Sequence, residues 1–227
     1  MRDHSKPTIL CLHGSGTSAA IFEIQARKLV HRLSGVFEFV FANGPFQTGP
    51  GPGVLPVFRD SGPYYAWVKS SDRIVPKQVA EILETMVQGQ IDTGGRPFVG
   101  VLLLEQERRS LVTADSQSIP DGCMDDVSLA FRFGVFIAGT FPPQQFLQSA
   151  TGQELPPNRV AVGVPTVHAI GMQDPWREAG RALCLEFFDK ETARLMEFDV
   201  GHVVPSREED VDELAKEILC VYQTTCD

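Results

Sequence analysis

Three short stretches of this 227-residue chain carry residue types that do chemistry when a fold brings them together. His13-Gly14-Ser15-Gly16 follows an apolar run. Glycine permits a tight turn there, and the amide N–H groups left pointing outward can hold a negatively charged oxygen. The same glycines are also what an ordinary strand-to-helix turn needs to reach φ > 0. Asp174 stands in Gly171-Met172-Gln173-Asp174-Pro175-Trp176. A carboxylate at that place orients an imidazole, or else caps a helix whose first residue is Pro175. His202, in Asp199-Val200-Gly201-His202-Val203-Val204-Pro205, is of the residue type most often used as a general base, although a lone loop histidine is more often inert.

Order in the chain links the three. The glycine turn follows the first apolar run, and acid precedes base, each after a separate late run. Hydrolases of the α/β type carry their groups in the order Ser, then Asp or Glu, then His. ILCLHGSGTSAAIFEIQARKL resembles the opening of the fungal family of serine hydrolases that includes the lovastatin-pathway thioesterase, and FEFVFANGPFQTGPGPGV with SGPYYAW resembles the family's next segment. FRFGVFIAGTFPP, PTVHAIGMQDPWREAGRAL and FDVGHVVP are similar to its later strand, acid and histidine blocks, so the likeness spans nearly the whole chain. The resemblance implies Asp174 as triad acid, His202 as triad base, and the Gly14–Ser15 backbone as part of an oxyanion hole. It implies an esterase or thioesterase of secondary metabolism and no cofactor. Its substrate would be a small or carrier-protein-bound acyl group, polyketide-like, with a polyketide synthase as partner.

The sequence departs from that family where the nucleophile belongs. A Gly-x-Ser-x-Gly elbow should follow the apolar run at 98–103 and open a helix, yet no such motif occurs in the chain. Val99-Gly100-Val101 runs directly into Leu102-Leu103-Leu104-Glu105-Gln106-Glu107-Arg108-Arg109, which reads like the end of the helix that the elbow normally starts. The atypical segment is 102–126. Ser110 lacks flanking glycines, and Cys123 has one before it but Asp125 and Asp126 close behind, which disfavour a thiolate. Without its nucleophile a triad enzyme keeps about 10³–10⁴-fold over water, from binding and oxyanion contacts. Beside the esterase reading stand a catalytically dead relative that binds an acyl group or a partner protein, and an active hydrolase whose gene model has lost an exon segment.

The elements that must position these residues can be read from hydrophobic patterning. Thr8 to Leu12, Phe37 to Ala42, Phe98 to Leu103, Phe133 to Ala138, Pro165 to Ile170 and Arg194 to Phe198 read as strands. A helix from about Ser18 carries Ile21, Phe22, Gln25 and Leu29 at helical spacing; another carries Val79, Ile82, Leu83, Met86 and Val87 on one face. The closing helix buries Val211, Leu214, Ala215, Ile218, Leu219 and Tyr222 and starts with a capping box, Ser206-x-x-Glu209. Alternation of this kind predicts α/β, a single doubly wound domain over 1–227 with a mainly parallel sheet and no large cap domain. Residues 44–62, rich in Gly and Pro, are expected to be a surface loop. The aromatics beyond it, Tyr64, Tyr65 and Trp67, form either an apolar acyl-binding wall or plain core packing.

Bulk properties agree. The hydrophobic share is 43% and the charged share 22%, which excludes disordered and fibrous classes. A net charge of −9 argues against nucleic acid or an anionic membrane as partner. No apolar stretch reaches the ~18 residues of a membrane span, and MRDHSKPTILCLHG has no signal-peptide core, so a cytoplasmic location is expected. Five scattered cysteines without Cys-x-x-Cys spacing read as free thiols. His4, His13, His31, His168 and His202 show no metal-ligand spacing, so no metal is expected.

Overall fold

The computed structural model describes residues 6–69, 77–104, 131–140 and 163–226. Six parallel strands form one sheet in the order β2-β1-β5-β6-β7-β8: β1 Thr8–Leu12, β2 Glu38–Ala42, β5 Phe98–Leu104, β6 Phe133–Ile137, β7 Thr166–Gly171 and β8 Ala193–Phe198. Among the described residues four helices accompany them: α1 Ala19–Leu33, α2 Lys77–Asp92, α3 Arg177–Phe187 and α4 Glu208–Thr224.

Successive strand residues serve opposite faces, as a fully covered parallel sheet requires. Ile9 and Cys11 of β1 join Phe22 and Leu29 of α1 and Leu214 and Ile218 of α4 in one core layer. Leu10 and Leu12 join Val79 and Val87 of α2 and Leu183 of α3 in the other. Burying a side chain of this size contributes about 1.5–3 kcal/mol, so β1, buried at all five positions, is strongly held. Because every pairing in the sheet is parallel, all six carboxyl ends lie along one edge. The turn after β1, the acid loop after β7 and the histidine loop after β8 therefore share that edge.

Several expectations need correction. Leu102, Leu103 and Leu104 are not the end of a helix. Leu102 and Leu103 belong to the expected strand and Leu104 extends it, with Leu103 opposite Leu12 and Leu104 opposite Ile137, all three buried. An apolar triplet buried on both faces fits either element, and periodicity cannot separate them. Within 44–62, Phe46–Thr48 forms β3, antiparallel to β4 at Tyr64–Ala66. Gly44 permits this approach, since a Cβ there would lie 2.5 Å from the Ala66 carbonyl oxygen. The capping box is absent. Arg207 occupies the N-cap without a side-chain cap bond, and its guanidinium instead grips the buried Asp210 through two bonds of 2.7 and 2.9 Å. Ser110 and Cys123 lie outside the described residues, as does the rest of 102–126 beyond Leu104.

Candidate active site

The acid and histidine loops are stitched together as continuations of β7 and β8. Met172 N–H donates to the Phe198 carbonyl (2.8 Å) and Gln173 N–H to the Val200 carbonyl (3.0 Å). The Gln173 amide also reaches the Asp199 carboxylate at 2.7 Å. Gly171 makes this approach possible. A Cβ on it would stand 2.1 Å from the Gly201 oxygen and 2.4 Å from that of Val200, distances no side chain tolerates.

Asp174 is held at both carboxylate oxygens. Oδ1 accepts the Trp176 backbone N–H at 2.8 Å, and Oδ2 accepts His202 Nδ1–H at 2.7 Å. The first is the turn expected of an Asp-Pro pair, but the helix begins later, with Trp176 at its N-cap, so the carboxylate is free to hold an imidazole as well. Only 2% of the Asp174 side chain and 10% of that of His202 is exposed, so water does not compete for the bond. A carboxylate only accepts, so Nδ1 carries the proton and Nε2 of the neutral ring is left as an acceptor. That Nε2 is buried and has no partner among the described residues. The rings of Trp176 and His202 meet in a T-shaped arrangement, 4.8 Å between centroids and 78° between planes.

The glycine turn after β1 is fixed by a different set of contacts. His13 is 2% exposed; its Nε2 accepts Gly44 N–H at 2.9 Å, which leaves Nδ1–H to donate to the Gly14 carbonyl at 2.7 Å. Burial pushes the His13 pKa down, which favours this neutral form. Trp67 Nε1–H donates to the His13 carbonyl at 2.9 Å, and the Thr17 hydroxyl to that of Gly14 at 3.2 Å. Gly16 N–H reaches the Tyr65 carbonyl and Gly51 N–H the Gly16 carbonyl, each at 2.9 Å. Gly16 has φ +73 and no room for a Cβ, which would fall 2.1 Å from Gly51 N.

Of the expected site residues, Asp174 and His202 are in direct contact. Gly14 and Ser15 sit at the same edge in the turn after β1, with β5 and β6 between that strand and β7. Tyr64 and Trp67 are buried structural members: the Tyr64 hydroxyl is spent on the Phe58 and Arg59 carbonyls, and its ring packs with Ile21 and Val54. Tyr65 is half-buried and bridges to Thr17 through its backbone. Sequence reasoning missed His13 and Trp176 as parts of the arrangement. The signal for His13 was a polar residue closing a fully apolar strand, a place where a side chain must find buried partners.

The serine hydrolase (FSH1) family model matches residues 1–214. The chain belongs to this family. Its similar relatives include esterase FUS5 of Gibberella moniliformis, 34% identical over 97% of this chain and 89% of the relative. Thioesterase FSL2 of Gibberella zeae is 30% identical over 98% and 95%. Among solved structures, Arabidopsis thaliana SOBER1 superposes with a TM-score of 0.56 at 16% identity, covering 98% of this chain and all of that one. Esterase PE8 gives 0.59 at 13% identity over 95% and 93%. These structural likenesses establish the α/β-hydrolase architecture of this family member. No described helix is long and apolar enough to cross a membrane.

Proposed function

We propose that this chain is an esterase or thioesterase in which His202 is the general base and Asp174 the group that orients it. The observation carrying this reading is the 2.7 Å bond from His202 Nδ1 to Asp174 Oδ2, with a buried Nε2 on the far side of the ring that has no partner among the described residues. An attacking hydroxyl gives its proton to Nε2 as its oxygen bonds to the acyl carbonyl carbon. The carbonyl π electrons move to oxygen, and backbone N–H groups of Gly14 and Ser15 are the candidate donors to that oxyanion. Collapse of the tetrahedral species breaks the bond to the leaving thiol or alcohol, which takes the proton back from the imidazolium. Asp174 stays ionised and stabilises the imidazolium between the two transfers.

Relatives named as esterases and a thioesterase support an acyl substrate. A polyketide-like acyl group, free or on a carrier protein in the cytoplasm, with a polyketide synthase as partner, is the finer form of the same proposal. Tyr65 is the one expected aromatic whose ring is not committed to the interior, and it is the candidate acyl contact.

A second reading, acyl or partner binding without turnover, is favoured by the lack of Gly-x-Ser-x-Gly. A fluorophosphonate probe on folded protein, run beside hydrolysis of an acyl thioester, separates the cases. Labelling that disappears in His202→Ala shows a serine nucleophile. Hydrolysis that needs His202 without labelling shows attack by water. Neither labelling nor hydrolysis overturns the enzymatic reading.

A further inference from the structure

We propose that Trp176 is a positioning residue for the His202–Asp174 pair, holding the imidazole so that Nε2 keeps one direction; this rests on the acid–base reading above. One residue touches both partners. Its backbone N–H takes Asp174 Oδ1 at 2.8 Å, and its indole meets the His202 ring edge-to-face at 4.8 Å. The two contacts do different things. A carboxylate bonded at both oxygens cannot turn about its Cβ–Cγ bond without losing one of them. An imidazole bonded, among the described residues, through Nδ1 alone is less constrained, and the indole packed against it opposes a swing of the ring.

Trp176 is itself well anchored. It is the N-cap of α3, its carbonyl accepts Gly180 N–H at 3.0 Å, and Gly180 packs so closely on Gly139 that a Cβ would lie 2.7 Å from the Gly139 oxygen. Arg177 and Arg181 of α3 both grip Glu197 of β8 at 2.7 Å, so the helix carrying the indole is tied to the strand that leads to His202. These ties fix the backbone from which the indole projects towards the imidazole. The indole also sets apolar surface beside the imidazole, which disfavours water next to a charge-assisted bond.

The test uses Trp176→Ala, Trp176→Leu and Trp176→Phe, none of which alters the backbone amide. In protein with ¹⁵N-labelled histidine, the Nδ1–H proton of His202 is expected to be protected in wild type and Trp176→Phe and to exchange with water in the Ala and Leu variants. In acyl-ester hydrolysis kcat falls roughly tenfold or more in Ala and Leu with KM within about twofold, and Phe recovers most of the loss. Leu retains apolar volume without a ring and covers the case in which Ala fails to fold. Wild-type protection and kcat in the Leu variant, or a Phe variant as impaired as Leu, would overturn the proposal. Parallel hydrolysis by His202→Ala keeps the two ideas apart. If removing the imidazole changes nothing, the acid–base reading fails, while the proton-exchange arm still decides whether Trp176 positions the ring.

Discussion

Gly171→Ala places a single methyl group against the backbone of the histidine loop, and its consequence can be worked from the contacts. The Cβ would meet the Gly201 oxygen at 2.1 Å, whereas ordinary contact begins at 3.4 Å, so the two loops must part by 3.4 − 2.1 = 1.3 Å. Gly171 is a strand residue without a left-handed φ, so steric contact is the whole of the strain. Both neighbours are backbone atoms and cannot rotate away. If the displacement falls along the acid–base bond, the 2.7 Å separation of His202 Nδ1 and Asp174 Oδ2 grows to about 4.0 Å, beyond hydrogen bonding. Overpacking costs about 1–3 kcal/mol, and a lost bond to a charged group about 1.5–3 kcal/mol more. Misplacing a reacting group by about 1 Å lowers the rate on the order of 100-fold. Urea unfolding gives the stability change, and acyl-ester hydrolysis with His202 Nδ1–H exchange gives the local one. Wild-type stability, rate and proton protection in Gly171→Ala would show that these loops do not pack as described.

Four further outcomes are expected. His168, buried in β7 between the Phe136 and Phe188 rings, has its pKa pushed by burial from 6.5 down to about 3. The unfolded chain thus binds one more proton between these values, and stability present above pH 6.5 is lost as pH falls towards 3, by about 1.4 kcal/mol per unit. Urea unfolding at pH 6.5 and pH 5 should differ by about 2 kcal/mol more in wild type than in His168→Leu; parallel pH dependences would refute it. Ser206→Ala should change stability by no more than about 0.5 kcal/mol, because no cap bond is lost. Arg207→Met, which strips the guanidinium from Asp210, should lower the unfolding midpoint, and equal midpoints would contradict the assignment. Burial raises the Cys11 thiol well above its usual range and that of Cys184 to about 11, so native alkylation should mark Cys220 and Cys226 but spare both. Rapid loss of the Cys11 thiol would show an open core.

The main sheet was legible in the sequence because its strands are covered on both faces, so TILCL and FGVFI are largely apolar runs, the first ending at His13 and the second, after Ala138, at Gly139. The meeting of Asp174 with His202 was legible through their position after late strands, where a parallel sheet gathers its loops. Other features depend on tertiary contact. Phe46–Thr48 is too short to show a period, and its pairing rests on Gly44 lying against Ala66. Ser206-x-x-Glu209 fits the capping pattern, but the Arg207–Asp210 pair takes over the first turn. Trp67 and Tyr64 were open to either an acyl-wall or a packing reading, and the carbonyls of His13, Phe58 and Arg59 absorb their polar ends. Trp176 could not be read as a neighbour of His202, since nothing local links positions 26 residues apart.

The pairing of Asp174 with His202 in one proton-transfer unit is tested most directly by a double-mutant cycle in thioester hydrolysis with Asp174→Ala, His202→Ala and the combined variant. Groups acting as a unit give non-additive losses, so the double variant should be no slower than His202→Ala alone. Losses that multiply, or a His202→Ala protein that hydrolyses as fast as wild type, would contradict it.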